Sequence, residues 1–234
     1  MKYILKSCKE IFITYILNYL IIIITGIIYN QFGYDDLNFL INNILPIILL
    51  IFYIITIIYL YKNNCLKEEK LNTKYYFPLI LLGISLAISL NMLIFLKYPP
   101  KTILKPTIIT IISSGIIGPI YEELLFRYIL YNRLKKKYSI KKSLLITTII
   151  FALIHLSPIK IIYAFILGLV INITYEKYKN ILSPILIHTS ANIIVIFLTE
   201  YNTYILLLSL SCLVLGIIIN TKNKSDKILV KKSN

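Results

Sequence analysis

Apolar residues run through this chain in long blocks, and short polar segments separate them. The blocks lie near Ile11–Ile28, Leu40–Leu60, Tyr76–Phe95, Thr107–Tyr131, Leu144–Leu156, Ile161–Tyr175, Ile181–Leu198 and Tyr204–Ile219. A bilayer's hydrocarbon core takes about 18 to 20 apolar residues of helix, and most of the blocks meet that length. The fifth and sixth are short. The pattern predicts an all-α fold, a polytopic membrane helix bundle of about eight transmembrane helices around a polar intramembrane cavity.

The fourth block breaks the apolar rule in the stretch Pro119-Ile120-Tyr121-Glu122-Glu123-Leu124-Leu125-Phe126-Arg127. A charge near the centre of a spanning helix costs about 2.5–3.5 kcal/mol, so two Glu and one Arg belong on the inside of a bundle. Glu123 and Arg127 are four apart, share a helix face and are expected to pair. Glu122 stands about 100° around the helix and is left free for chemistry. Ser114 and Gly118 form a small-xxx-small pair expected to admit a close neighbour, and Pro119 removes a backbone donor one turn before the carboxylates.

Charge then sets the topology. The net charge is +15, yet 20 of the 25 basic residues fall at alternate connections: the N-terminus, Lys62–Lys74, Arg133–Lys142, Lys177–Lys179 and the C-terminal tail. By the positive-inside rule both termini are expected in the cytoplasm, with Asp35, Asp36, Lys97, Lys101, Lys105 and Lys160 on the other face. The lipid bilayer accounts for this charge. No nucleic-acid module accompanies it, so nucleic acid is not an expected partner. Cys8, Cys65 and Cys212 share no metal-ligand spacing and suggest no disulfide framework. The N-terminal block has basic flanks and no small-residue cleavage signal, and reads as a retained helix.

The only two histidines both fall inside apolar blocks. His155 follows Phe151 by four residues, and His188 precedes Asn192 by four, each pair on one helix face. A single intramembrane histidine is commonly a polar clamp between helices. Two carboxylates, two imidazoles, an amide and a guanidinium on three helices of an apolar bundle form a candidate functional site.

These residues resemble the CAAX prenyl endopeptidase and bacteriocin-processing (CPBP, or Abi) membrane proteases. That family's motifs E-E-x-x-x-R, F-x-x-x-H and H-x-x-x-N stand here as Glu122-Glu123-Leu-Leu-Phe-Arg127, Phe151-Ala-Leu-Ile-His155 and His188-Thr-Ser-Ala-Asn192, in the family's order. The resemblance covers about Thr107 to Leu198. It departs at Tyr128, where the family often has Gly. It implies a catalytic core over residues 107–200, preceded by an N-terminal scaffold of about three helices over residues 1–100, where no chemistry is evident. A last helix and basic tail occupy 201–234.

The activity implied is that of an intramembrane endopeptidase cleaving a membrane-associated protein or peptide of CAAX, leader or bacteriocin type. In one assignment Glu122 and His155 activate a water, Glu123 and Arg127 hold the charge balance, and His188 and Asn192 donate to the oxyanion. No cofactor is required. In the other, His155, His188 and Glu122 or Glu123 bind a catalytic zinc ion. Two other classes stand beside these, a non-catalytic membrane immunity or scaffold protein and an ion-coupled transporter. The two halves of the chain show none of the self-similarity expected of a transporter.

Overall fold

The computed structural model describes residues 2–32, 36–63, 68–98, 106–198 and 200–232. Expectations placed on Asp35, Cys65, Lys67, Pro99, Pro100, Lys101 and Lys105 lie outside the described residues. The described chain is all-helical: α1 (Lys2–Ser7), α2 (Lys9–Gln31), α3 (Leu40–Lys62), α4 (Thr73–Phe95), α5 (Ile108–Lys135), α6 (Ile140–Leu153), α7 (Pro158–Tyr178), α8 (Leu182–Phe197) and α9 (Thr203–Lys232). Helix starts follow local chemistry. Asn72, Thr107 and Ser139 each accept a backbone N–H from the first turn of α4, α5 and α6, and Pro158 opens α7.

Five helices, α2, α3, α4, α5 and α7, are long and apolar enough to cross a membrane; α8 and Thr203–Ile218 of α9 are shorter apolar helices. This corrects the expected count of eight. The fifth apolar block becomes α6, 14 residues long, which at 1.5 Å per residue rises about 21 Å, short of a hydrocarbon core about 30 Å thick. Its buried face is polar, with Ser143, Thr147 and Thr148 fully enclosed.

Burial separates inner from outer helices. The most apolar windows of α4 and α5 are 44% buried, those of α2 and α3 only 17%. Phe12, Ile16, Ile23 and Ile27 on α2 and Ile51, Ile55 and Ile58 on α3 point outward, as suits side chains solvated by lipid. Two apolar clusters form the interior. One surrounds α5 with residues of α2, α3 and α6, including Ile11, Leu60, Tyr121, Phe126 and Phe151. The other joins α4, α7 and α8 through Leu79, Leu82, Leu86, Leu167, Ile171 and Ile187. The ionisable residues lie at the seam between them.

The basic connections meet at one end of the bundle. Tyr3 Oη donates to the carbonyl of Arg133 (2.8 Å), and Arg133 binds Glu10 in bidentate fashion at 2.5 and 2.9 Å. Lys135 and Lys179 share the carboxylate of Glu176, which also accepts from Tyr131. Outside the spans, burial and the neighbouring Lys135 lower the ammonium of Lys179 to about 8. The loop ahead of α4 docks on the same corner: the Glu69 N–H donates to the Lys179 carbonyl, and Ile181 N–H donates to Glu68 at the start of α8.

The closest helix approach is at a glycine outside the expected Ser114 and Gly118 pair. An added Cβ at Gly83 would lie 2.2 Å from Ser190 Oγ and 2.3 Å from the Ile187 carbonyl oxygen, because α4 lies directly against α8. Gly115 faces Ile193 and Ile196 of α8, and a Cβ at Gly118 would lie 3.0 Å from the Ser113 carbonyl oxygen of its own helix and 3.6 Å from the Tyr53 ring of α3. The backbone carbonyl of Ile187 cannot rotate away, so Gly83→Ala forces α4 from the helix that carries His188. We expect Gly83→Ala to cost about 1–3 kcal/mol or more, seen as a lower thermal unfolding midpoint in detergent. Gly26→Ala, with open space around it, is expected to leave that midpoint unchanged or slightly raised.

Candidate active site

The site is built on α5, and the backbone there departs from regular α-helix. Residues Ile111–Ile117 and Leu124–Tyr131 form π-helical turns on either side of the α-helical Gly118–Glu123. Pro119 cannot donate to the turn before it, and wide turns of this kind recur at functional sites. Asn132 spans the second one, donating to the carbonyls of Arg127 (3.1 Å) and Tyr128 (3.0 Å). Tyr128, where the family resemblance expects Gly, packs into the apolar cluster around α5.

Glu123 and Arg127 are completely buried, and Arg127 Nη1 donates to Glu123 Oε1 at 2.9 Å. Its other two nitrogens are bonded as well. Its Nε donates to Asn172 Oδ1 (3.2 Å), its Nη2 to the Gly168 carbonyl (3.3 Å), and its plane lies 4.3 Å from the centre of the Phe151 ring. Asn172 in turn donates to Thr148 Oγ1 at 2.8 Å. Gly168 has to be small, since a Cβ there would come within 2.8 Å of Phe151. A buried charge needs this many partners to be tolerated. Sequence reasoning passed over Asn172 and Gly168. The signal available was an amide inside an apolar block, the same anomaly that identified Glu122.

His188 enters from α8. Its Nδ1 lies 2.6 Å from Glu123 Oε1, and because a carboxylate oxygen can only accept, Nδ1 carries the proton. Its Nε2 points at Glu122 Oε2, 3.7 Å away. The Glu122 side chain keeps 23% of its surface exposed, against 4% for His188. The two adjacent carboxylates therefore occupy different environments, one locked between Arg127 and His188, the other open on one side.

His155 does not sit on a helix face as expected. Helix α6 stops at Leu153, and His155 occupies the turn beyond it, where Leu156 adopts a left-handed φ of 57°. Ser157-Pro158 explains the break: the residue before a proline is pushed out of the helical region, and Pro158 starts α7. The tie to Phe151 survives in another form. His155 Nδ1 donates to the Phe151 carbonyl at 2.9 Å, which leaves Nε2 as an acceptor, and the Phe151 ring packs edge-on against both imidazoles at 5.2 Å (His155) and 5.7 Å (His188).

Asn192 Nδ2 donates to the carbonyl of Ser114, 3.2 Å away, in the first wide turn of α5. Ser114 also borders a cavity of about 340 Å³ between α3, α5 and α8, whose other walls include Ile41, Leu45, Pro46, Leu49 and Ile196. This cavity is mainly apolar. Among the described residues no three His, Cys, Asp or Glu side chains converge as metal ligands. His155, His188 and Glu122 are therefore not arranged as a metal-binding set.

Comparison with known proteins matches residues 104–194 to the family described as Type II CAAX prenyl endopeptidase Rce1-like. The chain is 32% identical over 88 residues to "Putative membrane peptidase YdiL" of Bacillus subtilis (strain 168), an alignment covering 38% of this chain and 36% of the relative. It is 34% identical over 80 residues to "UPF0177 protein YxdF" of Lactococcus lactis subsp. lactis (strain IL1403), covering 34% of this chain and 44% of the relative. The chain thus spans less than half the length of these curated relatives. No solved structure matches it. The matched segment carries Glu122, Glu123, Arg127, His155, His188 and Asn192 together, so the residues of the candidate site all lie where the chain is similar to the Rce1-like, type II CAAX prenyl endopeptidase family.

Proposed function

We propose that the chain is an intramembrane endopeptidase in which Glu122 activates the water that attacks a peptide bond of a membrane-associated protein or peptide. The observation that carries this reading is the contrast between the two adjacent carboxylates. Glu123 is sealed and bonded to both Arg127 and His188, whereas Glu122 is open on one side and faces the Nε2 of His188. Only Glu122 has a carboxylate oxygen exposed for a water and a substrate to approach.

Glu122 takes a proton from that water as it adds to the carbonyl carbon. His155, whose Nε2 is left as an acceptor, helps hold the water, and the proton taken up by Glu122 is then handed to the leaving nitrogen by way of that Nε2. The oxyanion is met by Asn192, which has a second N–H beyond the one given to Ser114, and by His188. With Nδ1 pledged to Glu123, His188 can donate from Nε2 only as an imidazolium. In that form the site balances Glu122 and Glu123 against Arg127 and His188. The apolar cavity beside Ser114 gives a hydrophobic substrate a way in from the bilayer. We assign the basic end of the bundle to the cytoplasm on the positive-inside rule; Glu122, 11 residues above Arg133, then lies about 16 Å from it.

Two outcomes test this. Cleavage of a membrane-anchored fluorogenic peptide library by purified protein is expected to fall about 10²–10⁴-fold in Glu122→Gln with the unfolding midpoint unchanged. Glu123→Gln, which strips a buried cation of its partner, is expected to lower that midpoint by about 3–5 kcal/mol of stability. Equal loss of fold in both variants would remove the distinction on which the assignment stands. Second, turnover is expected to persist after treatment with a strong zinc chelator, measured in the same assay; loss restored by added zinc would replace the water-activating carboxylate with a metal site.

A further inference from the structure

No chemistry is evident from sequence in the first hundred residues, yet two of their helices wall the open carboxylate. Tyr15 and Tyr19 on α2 and Tyr53 on α3 all lie within electrostatic reach of Glu122. From α5 itself the groups acting with Glu122 are Tyr121 and Arg127, and from α8 it is His188. Most of these have their polar atoms engaged elsewhere. Tyr19 donates to the Ile154 carbonyl (3.0 Å), Tyr53 accepts from Asn18 Nδ2 (3.3 Å), and each nitrogen of Arg127 has the partner described above, whereas the Tyr121 hydroxyl, with Thr14 beside it, makes no hydrogen bond of normal geometry among the described residues.

Tyr15 is different. Its ring packs against Tyr121 and Phe126, each at 6.1 Å between centroids. Those positions flank Glu122 on α5, Phe126 being four residues on and so on the same helix face. Its hydroxyl oxygen is sealed from the surroundings and makes no hydrogen bond of normal geometry among the described residues. Glu122 is the charged group beside it. A buried phenol without an acceptor is unusual in a folded protein and calls for an explanation. A carboxylate within reach supplies the acceptor, and a charged acceptor makes the stronger kind of bond.

We propose that Tyr15 is a positioning residue that donates its phenolic hydrogen to the Glu122 carboxylate. The bond holds the carboxylate from the side away from His188 Nε2, which faces Oε2 at 3.7 Å, and so fixes the angle at which its remaining lone pairs meet the water. A helix outside the matched family segment thereby completes the site. This rests on the reading of Glu122 as the water-activating group, and its test separates the two.

The test uses the full chain in lipid nanodiscs with 3-fluorotyrosine placed at position 15 and read by ¹⁹F NMR, beside turnover of Tyr15→Phe. Phenylalanine keeps the ring against Tyr121 and Phe126 and removes only the hydroxyl. The ¹⁹F resonance is expected to move on Glu122→Gln, and Tyr15→Phe to lose about 10- to 100-fold in kcat with KM within twofold. A resonance indifferent to Glu122→Gln overturns the bond. A resonance that moves while Tyr15→Phe keeps full kcat, or changes KM instead, overturns the positioning role. If the resonance moves but the wild type cleaves no peptide, the bond stands and the peptidase reading falls.

Discussion

Burying an arginine inside an apolar bundle is the constraint on which the rest of this structure depends. The guanidinium of Arg127 has no exposed surface, and leaving it unpaired in that environment is prohibitive. Its partners therefore have to come from everywhere around it: Glu123 one turn back, Gly168 and Asn172 on α7, the face of Phe151 on α6. Glu123 then draws in His188 from α8. One charge pair thus sets the distances among four helices. Close approaches such as Gly168 against Phe151 follow from it, because a carbonyl can reach the guanidinium only where no side chain stands between.

The same network explains how two adjacent carboxylates come to differ. Consecutive residues on a helix point about 100° apart, so a helix that aims Glu123 into the seam between two apolar clusters must aim Glu122 toward its edge. Glu123 is spent on holding the bundle together. Glu122 faces the opening, with His188 as the link between the two. In the function proposed here, that geometry leaves Glu122 as the reacting group while Glu123 keeps the site's shape.

The sequence revealed those parts whose spacing is local. Glu123 and Arg127 pair as four-residue spacing requires, and the intramembrane position of Glu122, His188 and Asn192 followed from ionisable or amide groups inside apolar blocks. What escaped was set by neighbours distant in sequence. The polar face of α6 is legible only once it is known to bury Ser143, Thr147 and Thr148, and that helix ends before His155 because of Ser157-Pro158. Asn172, Gly168 and Gly83 matter through what approaches them. Tyr15 is one of 20 tyrosines, and nothing in its local sequence marks it out until Glu122 is placed beside it. The wide turns of α5 have their sequence cue in Pro119, but their extent over Leu124–Tyr131 does not follow from it.

The measurement that tests this account most directly is ¹⁵N NMR of the two histidines in the wild-type protein in bilayers, with His188→Gln for assignment. The account predicts a proton on Nδ1 of His188, held in a short hydrogen bond to a carboxylate, and a separate Nδ1 proton on His155 bonded to a neutral carbonyl. A His188 ring with a bare Nδ1 and its only proton on Nε2 would contradict it, because Glu123 would then not be shared between Arg127 and His188.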